Sequence, residues 1–385
     1  MMEIPLFEIY WDQNDIESIK AVLSSGMNWS SGDEIEELEE KIAEYLDVEY
    51  CLVFNSGGTA LHSLMEAYEF SHGDEVIVPS FTFIATAYAP MYVDAIPVFA
   101  DVEKETFGLD PDKITEKITP NTKALMPIHY GGMPCKIDQL KNIAKDNNLI
   151  LIEDAAEAFG AKFEGKFVGT FGHSSVFSFC HNKIFTTGEG GCVVTGDKKL
   201  YEKLKLIRSY GRVVNGNYFN NPKNLDYIEV GHNYRMSTIQ AALGLSQLNK
   251  VDKCIESRRQ KAEYFNNKLK SIKKLKVPLA PGDEYYHVYQ MYTVRVLEGK
   301  KTRDRLMEFL KDKGITTRIY FDPVHEYSVF KDVLKKNIHL PNTVELSEQV
   351  LSLPFYPDIS IEKLDYIVEK INDFFKRRGE SYGRK

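Results

Sequence analysis

Cysteine is sparse. The five residues, Cys51, Cys135, Cys180, Cys192 and Cys254, form no CxxC pair. An odd, scattered set in a chain of 385 residues does not make a disulfide framework and fits a reducing compartment. Positive charge is not in excess: 48 Lys and Arg stand against 56 Asp and Glu, a net charge of −8. That argues against a globally basic nucleic-acid binder. The one marked charge run, Lys376-Arg377-Arg378 onward to Lys385, reads as a solvated chain end. No stretch approaches about 18 uninterrupted apolar residues, so no membrane span is expected. The N-terminus, MMEIPLFEIYWDQND, carries early acids and no apolar run behind a basic start, so no signal peptide is expected. Internal repeats and low-complexity tracts are lacking. What remains is 43% hydrophobic and 27% charged, the balance of an ordinary globular protein. The length suits two or three domains, and the expected setting is the cytoplasm.

The apolar residues are arranged in a rhythm. A first helix is expected from about Ser31 to Leu46, with Ile35, Leu38, Ile42, Tyr45 and Leu46 on one face and Ser31 or Asp33 as its cap. Short apolar runs follow at Tyr50–Phe54, Glu75–Pro79, Ile96–Ala100, Lys123–Ile128, Leu149–Glu153, Ser175–Phe179 and Gly191–Thr195. Several are nearly continuous, as in strands buried on both faces. Helical stretches such as Thr59–Tyr68 and Ile137–Asn147 lie between them, so the pattern is α/β with a mostly parallel sheet. From about Val251 the pattern changes. A long helix is expected to Leu269, a strand over Gln290–Leu297, a helix over Arg303–Lys313 ending at Gly314, a strand over Thr316–Phe321 and a closing helix over Ile361–Phe375. The expected organisation is a large domain over 1–251 and a smaller α+β domain over 252–385. Asn215–Asn224, with five asparagines, reads as an exposed loop.

Four segments at expected strand ends carry the candidate chemistry, because open α/β sheets bind ligands at the carboxyl ends of their strands. The first is Asn55-Ser56-Gly57-Gly58-Thr59, where small residues open a helix and free N–H groups suit an anion or a plain cap. It meets neither the dinucleotide nor the triphosphate fingerprint. The second, Ile152-Glu153-Asp154-Ala155-Ala156-Glu157, offers a carboxylate for a protonated ring nitrogen, a metal or a helix cap. The third runs from Phe177 to Gly191 and places Lys183 beside a Gly-rich turn, as a candidate Schiff-base amine or a solvated lysine. His181 lies here too, without a nucleophilic cysteine partner. The fourth, Gly231-His232-Asn233-Tyr234-Arg235-Met236, precedes a helix, where Asn233 and Arg235 can bind an anion or cap. An anion cradle, a strand-end carboxylate and a lysine, in that order on one α/β unit, are what pyridoxal 5'-phosphate requires.

With these motifs the sequence resembles the DegT/DnrJ/EryC1/StrS aminotransferases, nucleotide-sugar enzymes of the fold-type I pyridoxal-phosphate class. SGGTALHSL, PSFTFIATAYA, IEDAAEAFGA, SFCHNKIFTTGEGG, GHNYRMSTIQAALGLSQL and TRIYFDPVH occur in the family's order, from about Ile4 to Phe375. The resemblance implies that Lys183 is the Schiff-base lysine and proton carrier. It implies that Asp154 partners the pyridine nitrogen, that Phe83 stacks on the ring, and that Gly57, Gly58, Thr59 and Ser178 contact the phosphate. Glu157 falls near the cofactor's phenolic oxygen. Asn233 is implied to reach the phosphate of a neighbouring subunit, hence a homodimer with shared sites. His181, Arg235, Arg318 and His325 fall on the substrate side, and no metal is implied. Gly58 stands where many members have Ser or Thr, and Cys180-His181 replaces a commoner pair.

The Asn182-Lys183-Ile184-Phe185-Thr186-Thr187-Gly188-Glu189-Gly190-Gly191 stretch resembles the style of enzymes that aminate C4 of a nucleotide-linked 6-deoxy-4-keto sugar, perosamine synthases among them. L-Glutamate is the donor implied, with pyridoxamine phosphate formed between the half-reactions. The alternatives are amination at C3, a sugar dehydrase, in which histidine replaces the lysine, and a non-catalytic regulatory protein that binds sugars.

Overall fold

The computed structural model describes residues 2–213, 226–278, 280, 282–330 and 338–382. The Asn-rich stretch 215–224 lies outside them. Two helices lead the chain, α1 (Gln13–Ser24) and α2 (Asp33–Leu46). The alternating unit then runs β1 (Tyr50–Phe54), α3 (Gly57–Ala67), β2 (Glu75–Pro79), α4 (Ile84–Met91), β3 (Ile96–Ala100), β4 (Thr122–Leu125), α5 (Ile137–Asp146) and β5 (Ile150–Asp154). After the short β6 (Lys162–Phe163) and β7 (Lys166–Phe167) come β8 (Ser174–Ser178), β9 (Gly191–Thr195) and α6 (Lys198–Arg208). A small pair, β10 (Arg212–Val213) and β11 (Asp226–Tyr227), precedes α7 (Thr238–Leu248) and α8 (Val251–Leu269). The remainder is β12 (Leu275–Lys276), β13 (Tyr285–Tyr286), β14 (Tyr292–Val296), α9 (Lys300–Lys311), α10 (Pro341–Gln349), β15 (Val350–Leu353) and α11 (Ile361–Tyr382).

Seven strands form the central sheet in the order β1-β9-β8-β5-β4-β2-β3. Only β9 runs against the others, pairing antiparallel with both β1 and β8. Alternate residues of each strand feed two cores, since successive side chains leave opposite faces. Val53, Ile77, Leu125, Leu151 and Phe177 pack with α2 and α5 on one face. Leu52, Val76, Ala124, Ile152 and Val176 pack with α3 and α6 on the other. Burial on both faces is why these strands read as near-continuous apolar runs.

A second, three-stranded sheet has the order β12-β14-β15. Tyr292, Val294 and Val296 pack there with Phe265, Leu269, Leu306, Leu310, Ile367 and Ile371. Helix α8 spans both regions: Cys254 and Ile255 belong to the first core, and Ala262, Phe265 and Leu269 to the second. The N-terminal segment joins the second region. Ile4 is buried in it, accepts from Thr316 N at 3.0 Å and donates to Gly314 O at 2.8 Å.

Three expectations are corrected. The cap of α2 is Gly32, which has no side chain to accept a hydrogen bond, rather than Ser31 or Asp33. No strand forms over Thr316–Phe321. Its amides find partners on two different segments: Thr316 N donates to Ile4 O and Arg318 N to Ser352 O. Gly231–Met236 follows the small β10–β11 pair instead of a strand of the central sheet.

Candidate active site

Because β1, β2, β4, β5 and β8 share a direction, their carboxyl ends meet at one edge of the sheet. Three of the four candidate segments lie there. At the end of β1, Ser56 caps α3, its Oγ accepting from Thr59 N at 3.1 Å. Thr59 Oγ1 donates to Asn55 Oδ1 at 2.7 Å, which stiffens the turn. The first intrahelical N–H, Ala60 to Ser56 O, comes after Gly57 and Gly58, so their amides lie in the unpaired first turn of the helix. A Cβ on Gly57 would stand 3.0 Å from Ser178 Cβ, and one on Gly191 only 2.6 Å from Gly57 N. The ends of β1 and β8 and the start of β9 thus meet through glycine. Gly58 is open, with Ser56 Oγ at 3.8 Å as the nearest neighbour of an added Cβ.

The two acids ending β5 take opposite roles because strand parity turns them to opposite faces. Glu153 is fully buried and accepts from Gly169 N, Phe171 N and Gly172 N, each at 2.7 Å. His129 Nε2 lies 3.0 Å from it. His129 Nδ1 accepts from Cys135 N at 3.1 Å, so Nε2 carries the proton and donates to Glu153. This pair ties loops together. Asp154 is also buried, but among the described residues it accepts only from Thr86 Oγ1 at 2.7 Å and Ala156 N at 3.2 Å. Burial pushes its carboxyl above the ordinary range, and the bonds from Thr86 and Ala156 oppose that. Burying a charge without a cation is costly, so Asp154 is suited to a protonated ring nitrogen.

Beyond β8, Lys183 sits in a loop with its Nζ 3.3 Å from Glu157 Oε1. Both side chains are largely sheltered, and Glu157 Oε2 accepts from Gly131 N at 2.9 Å. Phe83 caps α4 just beyond β2, and with 62% of its surface exposed it leaves a ring face free. These residues fit pyridoxal phosphate. The helix N-terminus and Ser178 suit its phosphate, Asp154 its ring nitrogen and Lys183 its aldehyde.

The other candidates are dispersed. His325 Nδ1 is 2.6 Å from Ser80 Oγ, beyond β2, and burial holds its pKa below the usual histidine range. Arg318 is exposed and lies over the Tyr320 ring at 5.2 Å. His181 is exposed too, its ring 5.3 Å from Phe7 and its Nδ1 3.3 Å from Cys180 Sγ. Arg235 packs over Tyr210 at 5.7 Å and borders a surface cavity of about 710 Å³ with Glu36, Glu39 and Arg208. Asn233 has an exposed side chain, and its carbonyl accepts from Asn55 Nδ2 at 3.3 Å. Thr86, Gly131 and Gln290 are contacts the sequence reading missed. Thr86 lies inside the quoted PSFTFIATAYA motif, but nothing in the motif aims it at Asp154.

An α/β sheet that gathers a lysine, a buried carboxylate and a helix N-terminus on its carboxyl edge has the make-up of an aminotransferase. Comparison with known proteins agrees. A model described as the DegT/DnrJ/EryC1/StrS aminotransferase family matches residues 10–372. The chain is 37% identical to the GDP-perosamine synthase of Escherichia coli O157:H7, an alignment covering 97% of this chain and 99% of that one. It is 34% identical to a pleiotropic regulatory protein of Geobacillus stearothermophilus, with 97% and 99% covered. PseC of Helicobacter pylori, an aminotransferase involved in pseudoaminic acid biosynthesis, superposes with a TM-score of 0.92 at 28% identity, over 98% of this chain and 100% of that one. The chain belongs to the DegT/DnrJ/EryC1/StrS aminotransferase family and is an enzyme of that kind.

Proposed function

We propose that this aminotransferase moves an amino group from L-glutamate to the C4 ketone of a nucleotide-linked 6-deoxy-4-keto sugar. The observation that carries the reading is the convergence of Lys183, Glu157 and buried Asp154 on one edge of the sheet. The likeness to a GDP-perosamine synthase supports the substrate class. Bound pyridoxal phosphate supplies an electron sink and a carrier for the amino group.

The chain's own residues do the rest. The amides of Gly57 and Gly58, with Ser178, bind the phosphate at the positive end of α3. Asp154, kept in place by Thr86 and Ala156 N, holds a proton on the ring nitrogen. Phe83 would cover a ring face of the bound cofactor. With the cofactor bound, Lys183 would serve as the proton carrier, general base and then general acid, at the substrate carbon. Glu157 steers its amine. We assign Arg318 and His325 to the substrate side on the family resemblance, where a guanidinium would suit phosphate oxygens.

We place the working enzyme in a homodimer in which Asn233 crosses to the partner's phosphate site. Tyr227, Ile228 and Val230, shortly before Asn233, are exposed, Val230 at 88%. Such a patch supports a subunit contact. We also propose 1–251 and 252–385 as the two domains, and the cytoplasm as the setting, since all five cysteines are free.

The test is the absorbance spectrum with added pyridoxal phosphate. The bound form is expected to bleach with L-glutamate and return with a GDP-linked 4-keto-6-deoxyhexose; UDP and dTDP analogues rank the nucleotide. No bound band sinks the enzyme reading and favours the regulatory one. A band indifferent to glutamate reopens the dehydrase. NMR of the product, which locates the carbon bearing the amine, separates C4 from C3.

A further inference from the structure

The loop carrying Lys183 has no helix or strand of its own between Ser178 and Gly191. Both peptide groups flanking the lysine are nevertheless held, and by one side chain. Gln290 Oε1 accepts from Ile184 N at 2.8 Å, and its Nε2 donates to Asn182 O at 2.7 Å. The partners fix the amide's orientation, since an N–H must meet the oxygen and a carbonyl the nitrogen. Gln290 is 6% exposed and comes from the segment between β13 and β14, far away in the chain.

That segment reaches the lysine by a second route. Val288 N donates to Gly132 O at 3.1 Å and Met291 N to Gly131 O at 3.2 Å. Gly131 N in turn holds Glu157 Oε2 at 2.9 Å, and Glu157 Oε1 lies 3.3 Å from Lys183 Nζ. Residues 288–291 therefore hold both the backbone beneath the lysine and the carboxylate at its tip.

We propose that Gln290 is a positioning residue: it clamps the peptide on either side of Lys183 and so sets the direction in which the amine is presented to the cofactor aldehyde. The inference rests on the reading of Lys183 as the cofactor-bearing lysine. Misplacement of a reacting group by about 1 Å costs up to about a hundredfold in rate.

Two variants test it. A glutamic acid is nearly isosteric with glutamine. In its neutral form it has an O–H donor and a carbonyl acceptor, so it can make both bonds; ionised, it sets an acceptor against Asn182 O. Cofactor-free Gln290→Glu is expected to develop the absorbance band of added pyridoxal phosphate at the parent's rate at low pH. At high pH it should be about ten- to a hundredfold slower. The parent loads with the pH dependence of its own lysine, so the quantity read is the ratio of variant to parent rate at each pH, which should fall as pH rises. Gln290→Leu is expected to be slow at every pH, with kcat reduced and the KM for glutamate unchanged. Thermal melting reports whether each variant folds. The proposal is overturned by a folded Gln290→Leu that loads like the parent. It is equally overturned by a Gln290→Glu variant as slow as Gln290→Leu at every pH. Where Gln290→Leu does not fold, the pH dependence of the Gln290→Glu ratio decides: present, it supports the clamp; absent, it overturns it. A parent that never develops the band overturns the lysine reading itself, and this inference with it.

Discussion

Lys183 and Asp154 make opposite demands on the protein, and single substitutions separate them. Lys183→Ala should abolish transamination and the band of bound pyridoxal phosphate while the far-ultraviolet dichroism stays that of the parent. Asp154→Asn should lower kcat by about a hundredfold or more, since the neutral amide cannot hold the ring nitrogen's proton. Its effect on the cofactor-free protein runs the other way. Burial raises the Asp154 pKa, so between its unfolded and folded values the folded chain binds more protons. Stability therefore falls as pH rises through that window. Removing the ionisable group should leave the cofactor-free melting temperature at neutral pH equal to the parent's or above it; a clear fall would contradict this. Glycines at the cradle differ in the same checkable way. Gly191→Ala should weaken pyridoxal phosphate binding, because its Cβ would meet Gly57 N at 2.6 Å and Phe177 O at 2.7 Å. Gly58→Ser has room and should bind at least as tightly, as titration by fluorescence would show. The motifs made Lys183 and Asp154 legible in the sequence. What they could not show was that Glu153 beside Asp154 belongs to a structural network, which depends on strand parity and on loop amides sixteen to nineteen residues away. Gln290 carried no local signal, because its partners are 106 and 108 positions off.

At the scale of elements, legibility followed burial. The seven strands of the central sheet announced themselves through apolar runs enclosed on both faces. Helix α1 did not. It buries only Asp15 and Val22, and Asp15 is paired with Lys250 at 2.7 Å, so its attachment is largely polar. Thr316–Phe321 has the composition of a strand but meets its neighbours only at single points, Ile4 and Ser352, and β propensity without a continuous partner is weak. In the second core, Phe265 of α8 packs its ring 4.5 Å from that of Tyr292 on β14, both fully buried. Phe265→Ala should cost about 3–5 kcal/mol, read as a shift in the denaturant midpoint. A loss under about 1 kcal/mol would mean the site refills.

For the whole molecule, the shared-site reading makes its own prediction. A Lys183→Ala subunit, inactive alone, and an Asn233→Ala subunit, poorly active alone, should regain activity when mixed and allowed to exchange. One of the two sites in the hybrid then has both an intact lysine and an intact asparagine. Sedimentation should show the hybrid as a dimer, and mixtures no more active than their parts would place Asn233 in its own subunit's site. The two-region organisation was visible in the sequence as a change of rhythm near Val251, but the change hid a continuity, since α8 belongs to both cores. Nor did anything in the sequence reveal that Ile4 and Leu6 bond to the last third of the chain.

That last feature bears on how the chain folds. Ile4 bonds to Gly314 and Thr316, and Leu6 O accepts from Phe355 N at 3.0 Å. Ile4 and Leu6 thus find their partners only far along the chain, at residues 314, 316 and 355. These are contacts of the greatest sequence separation, the slowest kind to form.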